Sequence, residues 1–404
     1  MRLLCISNGH GEDSIAVEIL QAIAALVKPL EITVLPIVGE GSAYQSQSFA
    51  LLGPAQNLPS GGFVYMQGQQ LARDLQAGLI ALTWAQIKAV RQWASLGGHV
   101  LAVGDIVPLL LAWQSRLPYS FVGTAKSEYW LRDEQGPLSR QSWLPQMPQM
   151  LSKSVYLPWE RWLLARPCCR AVFVRDRLTA EWLQQWQISA TCAGNPMMDQ
   201  LEATVSLSVP ANTALTGVLL PGSRVPEAHH NWQTLLAAAL SLVQAYPQKT
   251  MAFLAAIAPT LSLAPFEEIL MQQGWQLTSA STLTYERSGA TLLLVQNAFA
   301  SCLHQADLAI AMAGTATEQV VGLGKPAITL PGQGPQFTRR FAEMQARLLG
   351  ASVCLVNSPE EVGAAARSLF DNPSRLQKIA QNGRHRMGNP GAAQQIAQQI
   401  IQHL

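Results

Sequence analysis

The feature that most restricts the fold of this 404-residue chain is an alternation of short apolar runs with helical stretches, played out twice. Residues 2–7 form the first apolar run; a Gly-rich turn follows, and Ile15, Ile19, Ile23 and Leu26 then recur at helical spacing within residues 12–27. Further strands are predicted over 31–38, 99–103, 119–122, 171–174 and 190–193. A second series starts at 217–220 and continues over 250–254, 290–295, 308–311, 327–330 and 353–356. Strands separated by helices pair in parallel, because each connection must cross the sheet. The expected class is therefore α/β: two Rossmann-like, doubly wound parallel-sheet domains, with ligands at the C-terminal strand ends. With 49% apolar residues the chain can fill two such cores, and its length exceeds what one core holds. The predicted domains are 1–205 and 215–390, with 203–215 as a linker. Residues 391–404, after Asn389-Pro390, are predicted as an amphipathic helix that packs back on the first domain and acts as a hinge strut. Two similar α/β halves imply an active site in the cleft between them.

Composition excludes several classes. A net charge of +2 gives no electrostatic footprint for nucleic acid. Cys5, Cys168, Cys169, Cys192, Cys302 and Cys354 have no paired metal-ligand spacing and suggest a reducing compartment. Residues 1–6 run straight into Asn8-Gly9-His10, leaving no apolar region long enough for a secretory signal. Residues 250–266 are uncharged but contain Pro259 and Pro265, so they read as strand plus loop rather than a span of roughly 20 helical residues. The expected location is cytoplasmic, at the inner face of a membrane.

Two loops carry the sharpest chemistry. Met312-Ala313-Gly314-Thr315-Ala316-Thr317-Glu318 reads as a strand end, a tight turn of small residues and the opening of a helix. Small side chains let the backbone approach an anion, and the N–H groups of a helix's first turn attract phosphate. Glu318, one turn in, suits the two hydroxyls of a ribose. Upstream, Leu219-Leu220-Pro221-Gly222-Ser223-Arg224 also ends a strand, with a hydroxyl and a planar guanidinium that grips phosphate oxygens in pairs. Each loop alone is also what an ordinary strand-to-helix turn looks like. The pair, three strands apart, suggests convergence on one diphosphate.

These loops, together with Gly324-Lys325-Pro326 and Leu330-Pro331-Gly332, resemble the donor half of sugar-nucleotide glycosyltransferases of the GT-B architecture. The sequence looks most like lipid-A-disaccharide synthase, with a family likeness to the glucosaminyltransferase that makes the peptidoglycan lipid precursor. Gly194-Asn195-Pro196-Met197-Met198-Asp199 is similar to a G-H-P-x-x-D stretch of the lipid-A enzyme. The resemblance covers most of the chain, specifically in the second half and loosely in the first. It implies that Gly222, Ser223 and Arg224 face a donor diphosphate, that Gly314, Thr315 and Ala316 supply backbone amides, and that Glu318 holds the ribose. Gln336 would reach the donor sugar, and Gln345 stands where that family carries an amide. The implied reaction is transfer of a sugar, N-acetylglucosamine or an acylated relative, from a UDP-sugar to a lipid-type acceptor, with inversion by single displacement.

A transferase needs a base for the acceptor hydroxyl. The first loop, Ser7-Asn8-Gly9-His10-Gly11-Glu12-Asp13, offers His10 and Glu12; Asp13 reads better as an acidic residue favoured at a helix start. Asp105, after the 99–103 strand, is either a catalytic carboxylate or a helix cap before Pro108. The lipid-A enzyme has small residues in the first loop where this chain has His-Gly-Glu-Asp, which leaves the base open among His10, Glu12 and Asp105. No Asp-x-Asp metal clamp occurs; with Arg224 and helix N-termini to neutralise the leaving group, neither a metal nor a cofactor is required.

Nine of the 11 tryptophans precede residue 190. Trp130 beside Arg132, Trp143, and Trp159 and Trp162 around Arg161, with Lys153 and Arg166 nearby, suggest a peripheral membrane contact, although tryptophan is more often core. Two rival readings stand. A UDP-N-acetylglucosamine 2-epimerase shares the architecture and a G-N-x-x-x-D stretch like Gly194-Asn195 to Asp199, but its His-x-Glu-Ala-Gly-Leu-Arg segment does not occur here. The other is a non-catalytic sugar-nucleotide-binding protein.

Overall fold

A computed structural model describes residues 1–9, 11–56, 78–138, 153–332, 334 and 337–404. Two compact units emerge: Met1–Asp199 together with Asn389–Leu404, and Gln200–Gly388. His10, Trp143 and Gln336 lie outside the described residues.

The first unit runs β1 (Arg2–Ser7), α1 (Gly11–Leu26), β2 (Glu31–Pro36), α2 (Ser42–Gln45), β3 (Ala50–Leu51), α3 (Leu79–Ala94), β4 (His99–Gly104), α4 (Ile106–Gln114) and β5 (Tyr119–Gly123). A two-stranded ribbon of β6 (Arg132–Asp133) and β7 (Gly136–Pro137) precedes α5 (Pro158–Leu164), β8 (Cys169–Val174), α6 (Arg177–Gln184) and β9 (Ala190–Thr191). Its parallel sheet has the order β3-β2-β1-β4-β5-β8-β9. Helices cover both faces, which is why β1 and β4 read as continuous apolar runs rather than alternating ones. Leu82, Leu109, Leu163 and Leu183, from α3, α4, α5 and α6, pack on one face. On the other, Ile15 and Ile19 of α1 meet Ile396 and Ile400 of the tail helix Ala392–Ile401. The carboxylate of Asp199 accepts the N–H groups of Gly391 (2.8 Å), Ala392 (3.2 Å) and Ala393 (2.7 Å) at the start of that helix. It thereby satisfies donors that no turn of the helix can reach and places a negative charge at the positive end of the dipole.

The second unit runs β10 (Leu215–Leu220), α7 (Glu227–Ala245), β11 (Met251–Ala256), α8 (Ala264–Gln272), β12 (Gln276–Ser279), β13 (Thr284–Arg287), β14 (Ala290–Val295) and α9 (Phe299–Gln305). It continues through β15 (Leu308–Ala311), α10 (Thr315–Gly322), β16 (Ala327–Thr329), α11 (Arg339–Leu349), β17 (Val353–Leu355), α12 (Glu361–Phe370) and α13 (Pro373–Met387). The sheet order is β12-β13-β14-β11-β10-β15-β16-β17, parallel except at the β12–β13–β14 edge. That antiparallel edge was not expected, because residues 276–287 are mostly polar. The stretch read as a linker belongs to this unit: the N–H of Val205 donates to Ser301 Oγ at 3.2 Å.

All six cysteines are free. No helix among the described residues is long and apolar enough to cross a membrane.

Candidate functional site

In a doubly wound sheet the crevice for a ligand opens where the strand order reverses, at the C-terminal ends of the two central strands. In the second unit the chain passes from β10 outward to β11 and β14, then returns to the other side of β10 as β15. The two loops singled out from the sequence leave the ends of these two strands. Met312 N donates to Leu220 O at 2.9 Å, which fixes one strand end beside the other. Asn231, buried on α7, ties the two turns: its amide nitrogen donates to Pro221 O at 3.0 Å and to Met312 O at 3.4 Å. Gln345, buried on α11, donates to Ala313 O (3.2 Å) and Gly314 O (2.9 Å), and Thr317 Oγ1 donates to Ala313 O at 2.6 Å.

Gly222 has φ +95°, a conformation that a side chain strains, and its missing Cβ faces Met312 O. Gly314 differs. Its φ is −78°, and a Cβ there would meet only the Phe341 ring at an ordinary 3.5 Å. Side-chain space is therefore not what calls for glycine at 314. Gly314 caps α10 without a side-chain bond, so the N–H groups of Thr315 and Ala316 start a helix whose first turn has no carbonyl of its own to bind. Ser223 and Thr315 are exposed, while Arg224, Ala316 and Glu318 are half-buried. Gly222, Ser223, Arg224, Gly314, Thr315, Ala316 and Glu318 therefore stand on the two turns at this reversal.

The first unit repeats the arrangement. Its strand order reverses between β1 and β4, and Glu12 and Asp105 follow those two strands. Asn8 N donates to Val103 O at 3.3 Å. Gly104, at φ +131°, leaves room for Asn8, whose Oδ1 would lie 2.7 Å from any Cβ. Asp105 Oδ1 accepts from Val107 N at 3.0 Å and caps α4, so the capping reading of this residue is realised. Glu12, half-buried in the first turn of α1, accepts from Thr124 Oγ1 at 3.4 Å. Burial, with smaller contributions from the charges of Asp105 and Asp13, pushes its carboxyl up to about 7. Asp13 points inward and is only 3% exposed: Ser7 Oγ donates to it at 2.6 Å and shares a 2.6 Å bond with Tyr44 Oη. It anchors the loop from beneath.

Sequence reasoning missed Asn231 and Thr124. Asn231 had one signal: it falls on the same helical stripe as Ala228, Trp232 and Leu235, a polar residue on a buried face. Thr124 had none, since only strand order brings it to Glu12. Two of the aromatic–basic expectations change. Trp130 packs against the core of the first unit, and Arg161 is buried with its guanidinium donating to Tyr156 O at 2.9 Å.

Two Rossmann-like parallel-sheet domains in one chain define the GT-B fold. No family model and no curated protein matches the sequence. Among solved structures, the chain is similar to UDP-GlcNAc 2-epimerase from Neisseria meningitidis bound to UDP-GlcNAc (TM-score 0.55, 14% identity, covering 100% of both chains). It is also similar to MurG of Acinetobacter baumannii (0.55, 13%, 100% of this chain and 99% of that one) and to the glycosyltransferase of kitacinnamycin (0.59, 14%, 100% and 99%). At these identities the likeness establishes the fold. The neighbours include a UDP-GlcNAc 2-epimerase and a glycosyltransferase.

Proposed function

We propose that this chain is a glycosyltransferase that moves a sugar, N-acetylglucosamine or an acylated derivative, from UDP to a lipid-type acceptor, in the manner of lipid-A-disaccharide synthase. One observation carries the reading: the two small-residue turns that suit a diphosphate sit on adjacent strand ends at a topological switch point, stitched together by Asn231. On this reading Ser223, Arg224 and the first-turn amides of Thr315 and Ala316 offset the charge of departing UDP, and Glu318 receives the ribose. By the resemblance, Gln336 is assigned to the donor sugar. Glu12 takes the acceptor's proton, its carboxyl already raised to about 7, where a base works best near neutral pH. Asp105 contributes its charge to that shift, and His10 is the competing base.

A lipid-type acceptor makes a membrane-facing surface useful. The helices α3, α5 and α6 pack on one face of the first sheet, and around them Trp84 (66% exposed), Trp159 (56%), Trp162 (47%) and Trp186 (42%) reach solvent. Lys88 and Arg91 are exposed on α3, and the Arg166 guanidinium stacks 3.7 Å over Trp162. Aromatic and basic groups together suit an anionic interface.

The epimerase reading is kept because epimerases are among the structural neighbours. One assay separates the possibilities. The protein is incubated with UDP-N-acetylglucosamine, with and without a bacterial lipid extract, and free UDP and the sugar's C2 configuration are followed. UDP release that requires lipid supports the transferase. C2 inversion without lipid makes it an epimerase, and binding with neither change makes it a sugar-nucleotide-binding protein.

A further inference from the structure

Four carbonyl groups of the two turns at the switch point of the second unit are engaged by buried side-chain amides. Asn231 (4% exposed) takes Pro221 O and Met312 O; Gln345 (3% exposed) takes Ala313 O and Gly314 O. These carbonyls belong to the same turns whose N–H groups face a ligand in the proposed function. A carbonyl oxygen is the negative end of the peptide dipole, and one turned toward a phosphate repels it. A donor holds it back: Asn231 for Pro221 O and Met312 O, Gln345 together with Thr317 Oγ1 for Ala313 O, and Gln345 together with the N–H groups of Thr317 and Glu318 for Gly314 O. The orientation of Gln345 follows from the same chemistry: its nitrogen must face the two carbonyls, since Oε1 there would set acceptor against acceptor. The fold keeps that orientation although Oε1 is left buried without a hydrogen-bond partner, at a cost in desolvation.

We infer that Asn231 and Gln345 are positioning residues that set the polarity of a nucleoside-diphosphate cradle, binding its carbonyls from behind so that the peptide N–H ends meet the diphosphate. This rests on the donor-binding reading of the two turns. Neither residue touches the ligand; both act through the backbone. The amides lie on α7 and α11, so each helix determines the direction of a turn distant in sequence.

The test uses the full chain with Asn231→Asp and, separately, Gln345→Glu, titrated calorimetrically with UDP and with uridine. At about pH 8 each carboxylate has lost the donor, and affinity for UDP falls about tenfold or more while uridine, which lacks the diphosphate, binds as to wild type. At about pH 5.5 a buried carboxylic acid regains an O–H that donates to the carbonyl, and UDP affinity recovers toward wild type, whose own affinity changes far less. Equal loss of UDP and uridine binding, or no recovery in acid, reduces the two amides to scaffolding and overturns the inference. Should Asn231→Asp not fold, Gln345→Glu decides the matter alone. Wild type that binds neither UDP nor a UDP-sugar overturns the donor reading and the inference with it; wild type that binds while both variants match it overturns the inference only.

Discussion

A β-carbon built on Gly222 would lie 3.5 Å from the carbonyl oxygen of Met312. The turn after β10 and the turn after β15 therefore touch, and whatever one binds lies within reach of the other. The first sheet repeats the relation, with Gly104 against Asn8. In each unit the chain brings its small, polar and titratable residues to the single place where its strand order reverses.

Arg224 is expected to grip the donor diphosphate. Arg224→Ala should weaken UDP binding about tenfold to hundredfold, the range for a hydrogen bond to a charged group, and leave uridine binding alone. Thermal-shift titration with uridine and with UDP-, GDP-, ADP- and TDP-sugars reads both effects, because a ligand that binds only the folded state raises the melting temperature by mass action. Stabilisation by one nucleotide class should vanish in the variant; if it persists, Arg224 is no diphosphate ligand.

Gly314→Ala separates fold from ligand. A Cβ at 314 makes only ordinary contact with Phe341, so stability should change by about 1 kcal/mol or less. On the proposed donor site UDP-sugar affinity should fall, since the methyl group is added beside the Thr315 and Ala316 amides. A melting curve and a binding isotherm on the same sample decide it. Unchanged affinity removes this turn from the site.

With Glu12 as base, transferase rate should rise with pH through an apparent pKa of about 7. Asp105→Asn keeps a cap on α4, because asparagine also accepts from Val107 N, while removing a like charge. The rate profile should then shift toward acid. A profile that Asp105→Asn leaves in place points to His10 instead.

The same carboxyl makes a stability prediction. Its folded pKa of about 7 is raised above the ordinary glutamate value of 4.5, so the fold prefers the protonated form. The penalty on the folded state is therefore absent below about 4.5, grows between there and about 7, and is complete above that. Glu12→Gln should raise the melting temperature at about pH 8, have little effect at about pH 4 and abolish transfer. Melting curves at the two pH values suffice to check the sign.

Ile396→Ala in the tail helix should destabilise the first unit by about 2–4 kcal/mol, because the side chain is 1% exposed against Ile15 and Ile19. Hydrogen exchange should show the loss in β1 and α1 and spare β10 and β15. Uniform loss across both sheets would mean that the two units unfold together.

How much of this was legible in the sequence depends on range. Strands buried on both faces announce themselves as apolar runs, so β1, β4, β10, β14 and β15 were readable, as were the small-residue turns that follow β10 and β15. The β12–β13 hairpin was not: Gln276 and Leu277 are exposed at a sheet edge, and a polar edge strand carries little apolar signal. Asp105 could be narrowed to cap or catalyst but not resolved, because both roles ask for a carboxylate at a strand end. The surroundings of Glu12 were hidden for a different reason: Thr124 lies 112 positions away and reaches it only because β5 lies beside β4, next to β1. Asn231 and Gln345 show the same limit, since a polar side chain on a buried helical face declares that it has a partner without saying which.

Asp199 and Gly391, joined by a 2.8 Å hydrogen bond, mark where the polypeptide leaves the first unit and where it comes back. In topological terms residues 200–388 are a cassette spliced into another domain, with its two splice points pinned together by one side chain. A gene that skips the cassette and joins the flanking pieces through a few glycines should encode a free-standing first domain, and the excised cassette, its ends already neighbours, should tolerate being circularised.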